Sequence, residues 1–131
     1  HLSLRRQRQM CIRDSSSIDR GKLKIVWEVR WSKTWTKDIV NKVFGDADVS
    51  QCVDPFRQDV YYASSVVYYR LHGLGKRSMY DYSFSDLELR RLVGKVNKKV
   101  KNVYFMFNNS DCYANALRFK SLIKNALRKT S

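Results

Sequence analysis

Cysteine is scarce in this 131-residue chain, and its three cysteines stand too far apart to form a paired metal or redox motif. Cys11, Cys52 and Cys112 include no C-x-x-C pair, which excludes the usual zinc-ribbon and thioredoxin-like signatures. No apolar run approaches the ~20 residues that a membrane-spanning helix requires. We therefore expect a protein that does not insert into a membrane and that works in a reduced, cytoplasmic setting.

The glycine-rich phosphate motifs are also missing. Gly73-Leu74-Gly75 lacks the third glycine of a dinucleotide fingerprint and does not open a helix directly. The chain has no P-loop, no serine nucleophile elbow and no zinc motif. The sequence therefore identifies no cofactor, and it establishes neither whether the protein is an enzyme nor its oligomeric state.

Acidic residues are few, with 12 Asp and Glu against 26 Lys and Arg, which gives a formal net charge of +14. Such a balance favours polyanionic partners and a salt-sensitive attraction to nucleic acid. A solvated helix surface is the simpler explanation, because many of the cations fall at positions where a predicted helix faces water. These positions are Arg90, Arg91, Lys95, Lys98, Lys99, Lys101, Arg118, Lys120, Lys124, Arg128 and Lys129.

The first fifteen residues, HLSLRRQRQMCIRDS, show no helical or strand periodicity that connects them to the rest of the chain. We predict that residues 1–15 are a non-native, adapter-derived tract. The alternative is a natural basic arm for nucleic acid, which a run such as Arg5-Arg6-Gln7-Arg8 would suit. Residues 16–131 are then the folded domain.

Strand and helix patterns alternate along that domain. The first strand spans Lys24 to Arg30, and a helix that buries every third or fourth residue follows from a Thr34 or Thr36 cap to about Gly45. Later strands are predicted at 49–54, 66–72 and 103–107. Two further helices are predicted. One begins at a Ser85/Glu88 capping box and continues through Val96 and Val100. The other begins at a Ser110 or Asp111 cap and has an inward stripe of Ala116, Phe119, Ile123 and Ala126. This alternation is typical of βα units and a parallel sheet.

Several short motifs occur along the chain in the order WEVR, YYRLHG, YDYS, YFMFNN and YANAL. Over residues 22–127 the chain resembles the C-terminal half of the YecE-like family (domain of unknown function 72). The resemblance implies a barrel of parallel strands ringed by helices, but it supplies no function. A complete (β/α)₈ barrel needs about 250 residues. The expected fold class is therefore α/β, with residues 16–131 forming the incomplete C-terminal half of a TIM-like (β/α) barrel.

Strand parity sorts side chains into a helix-facing set and an opposite set, because successive residues of a strand point to opposite faces. The apolar residues of each predicted strand belong against the helices. Near the carboxyl ends of the strands, the other face receives a polar set: Glu28, Arg30, Asp54, Arg70, His72 and Asn108. In barrels of this class, that end is where active sites lie.

The polar set contains complementary chemistry. Glu28, Asp54 and His72 are candidate catalytic residues, because carboxylates and imidazole exchange protons and bind cations. Arg30 and Arg70 are candidate ligand-binding residues that can grip phosphate through a forked pair of hydrogen bonds. Further candidate ligand-binding residues are Asn108, Tyr80 and Tyr82, and no residue is assigned as a metal ligand. The competing interpretation is an internal network of salt bridges and hydrogen bonds.

The first functional hypothesis is binding of a phosphate-bearing ligand at the strand ends, with hydrolytic chemistry as an option. The partner is then a nucleic acid, a nucleotide or another phosphorylated small molecule. The second hypothesis is a non-catalytic polyanion-binding module that uses the basic helices. The third is a metal-assisted, isomerase-like enzyme for a sugar or sugar phosphate, with Glu28 and Asp54 around a divalent ion.

Overall fold

The structure of the chain is a computed structural model, and it describes residues 19–29, 34–96 and 102–129. Four strands and three helices lie in these ranges. In chain order they are β1 (Val26–Glu28), α1 (Lys37–Ala47), β2 (Ser50–Val53), β3 (Val66–Leu71), α2 (Asp86–Val93), β4 (Asn102–Phe107) and α3 (Cys112–Lys129).

The strands form one sheet in the order β1-β2-β3-β4, and every neighbouring pair is parallel. Each strand therefore lies beside the next strand of the chain. Parallel neighbours need a crossover connection between them. The connection from β1 to β2 contains α1, the connection from β2 to β3 is the segment 54–65, and the connection from β3 to β4 contains α2. The predicted α/β fold with a parallel sheet is confirmed.

The register of the strands shows which side chains share a face. Residues paired across parallel strands point to the same side, and one such row runs from Glu28 through Cys52 and Tyr68 to Tyr104. The helices pack on the other face, where α1 meets β1 and where α2 and α3 meet β3 and β4. That face carries Trp27, Val53, Val67, Tyr69, Leu71, Phe105 and Phe107. All three helices of the described residues thus lie on one side of the sheet, and the other side carries a mixture of polar, aromatic and aliphatic residues.

The first helix begins as the sequence predicts. The Thr36 hydroxyl accepts a hydrogen bond from the Ile39 N–H, and α1 then buries Val40 and Phe44 against β1. The predicted end near Gly45 is too early, because α1 continues to Ala47. Asp48 ends the helix in the left-handed conformation, with φ 49°, and its N–H donates to Gly45 O.

The second helix has the predicted start and an earlier end. The Ser85 hydroxyl accepts from the Glu88 N–H, while the Glu88 carboxylate accepts from the Ser85 N–H, so the capping box is confirmed. The predicted continuation through Val96 is wrong, since α2 ends at Val93 with Gly94 as its cap. Glycine is a poor helix residue because it loses more backbone freedom on folding than other residues do. Val100 lies outside the described residues.

The third helix packs a different stripe from the predicted one. Phe119 is buried as expected, but Leu122 and the amide of Asn115 are buried beside it, whereas the predicted Ala116, Ile123 and Ala126 are only partly buried. Asn115 faces inwards because its amide binds the backbone of Phe84. A pattern of apolar residues does not predict the burial of a polar side chain of this kind. None of the helices in the described ranges is long and apolar enough to cross a membrane.

Candidate functional site

A cleft of about 1020 Å³ opens beyond the carboxyl ends of β1, β2 and β3. Its floor lies on the face of the sheet that carries no helix, and its wall is the loop that follows β2. The lining residues are Glu28, Val29, Cys52, Val53, Asp54, Pro55, Phe56, Arg57, Gln58, Asp59, Tyr61, His72, Met79 and Tyr80. Three predicted catalytic candidates, Glu28, Asp54 and His72, therefore meet in one cleft.

An ion pair joins β1 to β3 at the edge of this cleft. Arg70 Nη1 donates to Glu28 Oε2 at 2.6 Å, a short charge-assisted hydrogen bond. This hydrogen bond raises the pKa of Arg70, while partial burial opposes the rise. The Arg70 and Glu28 side chains are 33% and 24% exposed, so the pair is partly open to solvent, and Glu28 also lines the cleft.

His72 lies between two carboxylates. Its Nδ1 is 3.4 Å from Asp54 Oδ2, and its Nε2 is 3.5 Å from Glu28 Oε1. Both distances are longer than a strong hydrogen bond. An imidazole in this position can exchange a proton through either ring nitrogen.

Asp54 holds the histidine and the adjoining loop together. Its Oδ2 accepts from the His72 backbone N–H at 3.2 Å, and its Oδ1 accepts from the Phe56 N–H at 3.0 Å. Arg57 Nε lies 3.6 Å from the same carboxylate, while Arg57 Nη2 donates to Gly73 O at 3.1 Å. Buried Asp54 is therefore a positioning group that fixes both His72 and Arg57.

Cys52 lies between the charged groups on the same face of the sheet. Burial raises the pKa of its thiol to about 12, and the nearby Glu28 carboxylate adds to that rise. Its thiol is therefore protonated at neutral pH and is a weak nucleophile. Cys52 serves as a small apolar filler beneath the cleft.

Tyr80 reaches the cleft from the loop after β3. Its ring packs edge-on against His72 with centroids 5.7 Å apart, and its carbonyl accepts from the Ser110 N–H at 2.7 Å. The loop folds back tightly at Gly73, which has φ +101° and no room for a Cβ, because Met79 O would lie 2.4 Å away. The glycines after β3 therefore shape the turn that carries Tyr80.

Two other predicted residues, Tyr82 and Asn108, are not brought into the cleft, and a third cannot be placed. Tyr82 O–H donates to Glu88 at 2.6 Å, which places this ring at the start of α2. Asn108 lies just past β4, where its N–H donates to Leu71 O at 2.8 Å, and it does not line the cleft. Arg30 lies outside the described residues.

Sequence reasoning missed Arg57 and Tyr61. Both follow β2 in the segment between the predicted strands 49–54 and 66–72, where strand parity gives no information about side-chain direction. A usable signal was present for Arg57, since a basic residue three positions after a strand-end aspartate can reach back to its carboxylate. Within the ranges that the structure covers, no group of three His, Cys, Asp or Glu side chains could hold a metal ion. The metal-assisted hypothesis therefore gains no support from the cleft.

Comparison with known proteins gives a family and a fold. A family model described as a protein of unknown function, DUF72, matches residues 6–131. A DUF72 family protein from Thermotoga maritima superposes with a TM-score of 0.66 and 23% identity, over 79% of this chain and 47% of that chain. One from Enterococcus faecalis gives a TM-score of 0.63 and 23% identity, over 80% and 50%. The chain thus spans about half the length of these solved relatives, and no curated protein matches it.

The family match begins inside the predicted non-native tract, at residue 6. Residues 1–15 lie outside the part of the chain that the structure describes. The origin of this tract therefore stays a prediction.

Proposed function

The chain belongs to the DUF72 family, and we propose that it binds a phosphate-bearing ligand in the strand-end cleft, where His72 exchanges a proton with that ligand. The observation that carries the proposal is the position of His72, which lies between Asp54 and Glu28 on the cleft floor. An imidazole that lines a cleft and is oriented by carboxylates can act as a general acid or base.

Two guanidinium groups support phosphate as the bound group. Arg57 and Arg70 keep 48% and 33% of their side chains exposed although each is ion-paired. Each guanidinium has five N–H donors, and the bonds to Glu28, Asp54 and Gly73 use only some of them. The cleft is also large enough for a nucleotide, because ligand sites usually measure about 300–1,000 Å³.

We also propose that the sheet is part of a barrel wall. Two features support this: the helices lie on a single face of the sheet, and strands that are consecutive in the chain are neighbours in space. A doubly wound sheet would have helices on both faces. In a barrel the strand-end cleft would lie at the usual position of the active site.

Calorimetric titration tests the proposal with two probes, inorganic phosphate and adenosine monophosphate. The wild-type chain should bind at least one probe, and Arg57→Gln should weaken that binding about tenfold or more, as expected for a lost charge-assisted contact of ~1.5–3 kcal/mol. The control is Arg90→Gln, which removes an exposed cation of α2 and should leave the affinity unchanged. Absence of binding by both probes, or equal loss in both variants, would contradict a phosphate site in the cleft.

A second candidate function rests on the outer surface of α3. Lys120, Lys124 and Arg128 are all exposed there, at a spacing that gathers them along one side of the helix. A polyanion would bind this surface with an affinity that falls steeply as salt increases. Binding of a single-stranded oligonucleotide that is lost in a triple glutamine variant of these residues, but kept in His72→Gln, would favour this module over the cleft.

A further inference from the structure

The strand-end cleft contains exposed aromatic and apolar side chains as well as charged ones. Tyr61, Met79 and Tyr80 all line it, and they are 36%, 39% and 47% exposed. A single exposed apolar residue is ordinary on a protein surface, but several in one cleft mark a site for a ligand with an apolar part. Inorganic phosphate has no such part. These side chains therefore indicate that the ligand carries more than its phosphate group.

Tyr80 lies next to the polar groups of the cleft. Its ring packs edge-on against His72, with centroids 5.7 Å apart, and much of the residue remains exposed. The turn that carries Tyr80 also lies beside Arg57. Arg57 Nη2 donates to Gly73 O at 3.1 Å, and a Cβ on Gly73 would lie 2.4 Å from Met79 O. One small molecule can therefore contact the Tyr80 ring and the Arg57 guanidinium together.

The polar groups of the cleft favour a planar base over a sugar as the rest of the ligand. Within the described residues, each carboxylate that lines the cleft is ion-paired: Glu28 with Arg70, Asp54 with Arg57 and Asp59 with Lys95. The hydroxyl groups of a sugar would have to compete with these cations for the carboxylate oxygens. A planar base needs an exposed ring to stack on, and Tyr80 offers one without such competition.

We propose that the phosphate-bearing ligand of the strand-end cleft is a nucleotide whose base stacks on the ring of Tyr80. The inference rests on the proposed function, because it starts from a phosphate bound at Arg57 and Arg70. Every nucleobase has a planar face that stacks on an aromatic side chain. The cleft volume of about 1020 Å³ lies at the upper end of the range usual for ligand sites, as a ligand with both a base and a phosphate requires. Tyr80 is then the residue that distinguishes a nucleotide from other phosphate esters.

Calorimetric titration tests this inference with adenosine monophosphate and with ribose phosphate, which is the same molecule without its base. The wild-type chain should bind adenosine monophosphate at least about fivefold more tightly, the lower end of what stacking of one base contributes. Tyr80→Ala should remove that preference, and Tyr80→Phe, which keeps the ring, should retain it. The matched control is Tyr113→Ala, which removes an exposed tyrosine of α3 and should change neither affinity.

The outcomes separate this inference from the proposed function. Equal affinities of the wild-type chain for the two probes would overturn the nucleotide and keep the phosphate site. A Tyr80→Ala variant that loses both probes to the same extent would also overturn it, since Tyr80 would then support the site rather than hold a base. Binding of neither probe would overturn both the phosphate site and the inference that rests on it.

A second measurement keeps the test decisive if Tyr80→Ala fails to fold. Tyr80→Trp places an indole at the proposed stacking position, and Tyr113→Trp places one on the exposed start of α3. Adenosine monophosphate should quench the fluorescence of the Tyr80→Trp chain more than that of the Tyr113→Trp chain, because a base stacked on indole quenches its emission. Ribose phosphate should quench neither chain. Equal quenching of the two chains by adenosine monophosphate, or equal quenching of the Tyr80→Trp chain by both probes, would overturn the inference.

Discussion

Two polar networks of this molecule lie on either side of the loop that follows β3, and they use their hydrogen-bonding groups differently. In the strand-end cluster, Glu28, Asp54, Arg70 and His72 pair with one another at the edge of an open cleft. In the second network, which we call the amide network, Tyr82, Ser85, Glu88, Asn109 and Asn115 bind one another and the backbone around Phe84.

The two networks differ in which of their hydrogen-bonding groups remain available to a ligand. The amide of Asn115 is buried, and its groups bind the Phe84 N–H, the Phe84 carbonyl and the Asn109 amide. In the strand-end cluster, His72 lines the cleft, and Arg70, whose partner Glu28 also lines the cleft, keeps 33% of its side chain exposed. The amide network therefore uses the whole amide of Asn115 to hold the loop to α2 and α3, although among the described residues the buried Oδ1 of Asn109 has no hydrogen-bond partner. The strand-end cluster keeps hydrogen-bonding groups to which a ligand can bind.

The largest effect on stability should come from breaking the amide network. Asn115→Ala leaves the buried N–H and C=O of Phe84 without their side-chain partner, and each buried group left unpaired costs about 1–3 kcal/mol. We expect the free energy of unfolding to fall by at least about 2 kcal/mol in urea titrations. The matched control is Asn125→Ala on the exposed side of α3, which should change it by less than about 0.5 kcal/mol. Equal effects in both variants would show that the amide network is not structural.

The next effect concerns the loop that separates the two networks. Gly73 has φ +101°, and an added Cβ would lie 2.4 Å from Met79 O and 2.6 Å from Tyr82 Cβ. Gly73→Ala should therefore destabilise the chain by about 1–3 kcal/mol. Gly21→Ala is the control, because Gly21 also has a positive φ of +51° but no atom within 4 Å of an added Cβ. The difference between the two losses in unfolding free energy measures how tightly the loop is packed around Gly73. Equal losses in the two variants would mean that the loop can move to accommodate the added Cβ.

A smaller and pH-dependent effect should come from Glu88. Burial opposes ionisation of this carboxyl, but hydrogen bonds from Tyr82 and Ser85 outweigh burial and hold its pKa below the ordinary value of 4.5. A carboxyl with a lowered pKa stabilises the fold above its unfolded pKa, and that stability is lost as the pH falls through the folded pKa.

Glu88→Gln should therefore cost about 1 kcal/mol at neutral pH, typical of a lost cap, and should flatten the acid side of the stability profile below pH ~4.5. Tyr82→Phe keeps the ring that packs on Phe84 and removes only the donor, so it should flatten the profile in part. Urea titrations from neutral to acidic pH measure both changes. An acid limb equally steep in wild type and Glu88→Gln would exclude Glu88 as its source.

The sequence predicts the face of the sheet on which the strand-end cluster lies and the helix start at which the amide network lies. Strand parity placed Glu28, Arg70 and His72 on the face away from the helices, and the capping-box spacing located the start of α2. Both rules depend on local periodicity, which a single sequence displays directly. The predicted end of α2 is too late because the apolar spacing continues past Gly94. That spacing takes no account of the backbone entropy that a glycine loses in a helix.

The loops were the part that the sequence could not place. Tyr80 and Tyr82 are two residues apart in one irregular segment, yet Tyr80 packs on His72 while Tyr82 binds Glu88. No period relates side-chain direction to position in such a segment. Arg57 was missed for the same reason, because its contacts with Asp54 and Gly73 depend on how the loop after β2 folds back.

The smallest effect on stability should follow from the change that matters most for the proposed function. His72→Gln keeps an amide that can hydrogen-bond to Asp54 but removes the group that exchanges a proton. If the strand-end cluster serves a ligand, the free energy of unfolding should fall by less than about 1 kcal/mol, well below the loss in Asn115→Ala. Urea titrations of the two variants under the same conditions make the comparison. A loss in His72→Gln as large as that in Asn115→Ala would show that the histidine and its two carboxylates are a second structural network, and the contrast between an open and a closed cluster would then disappear.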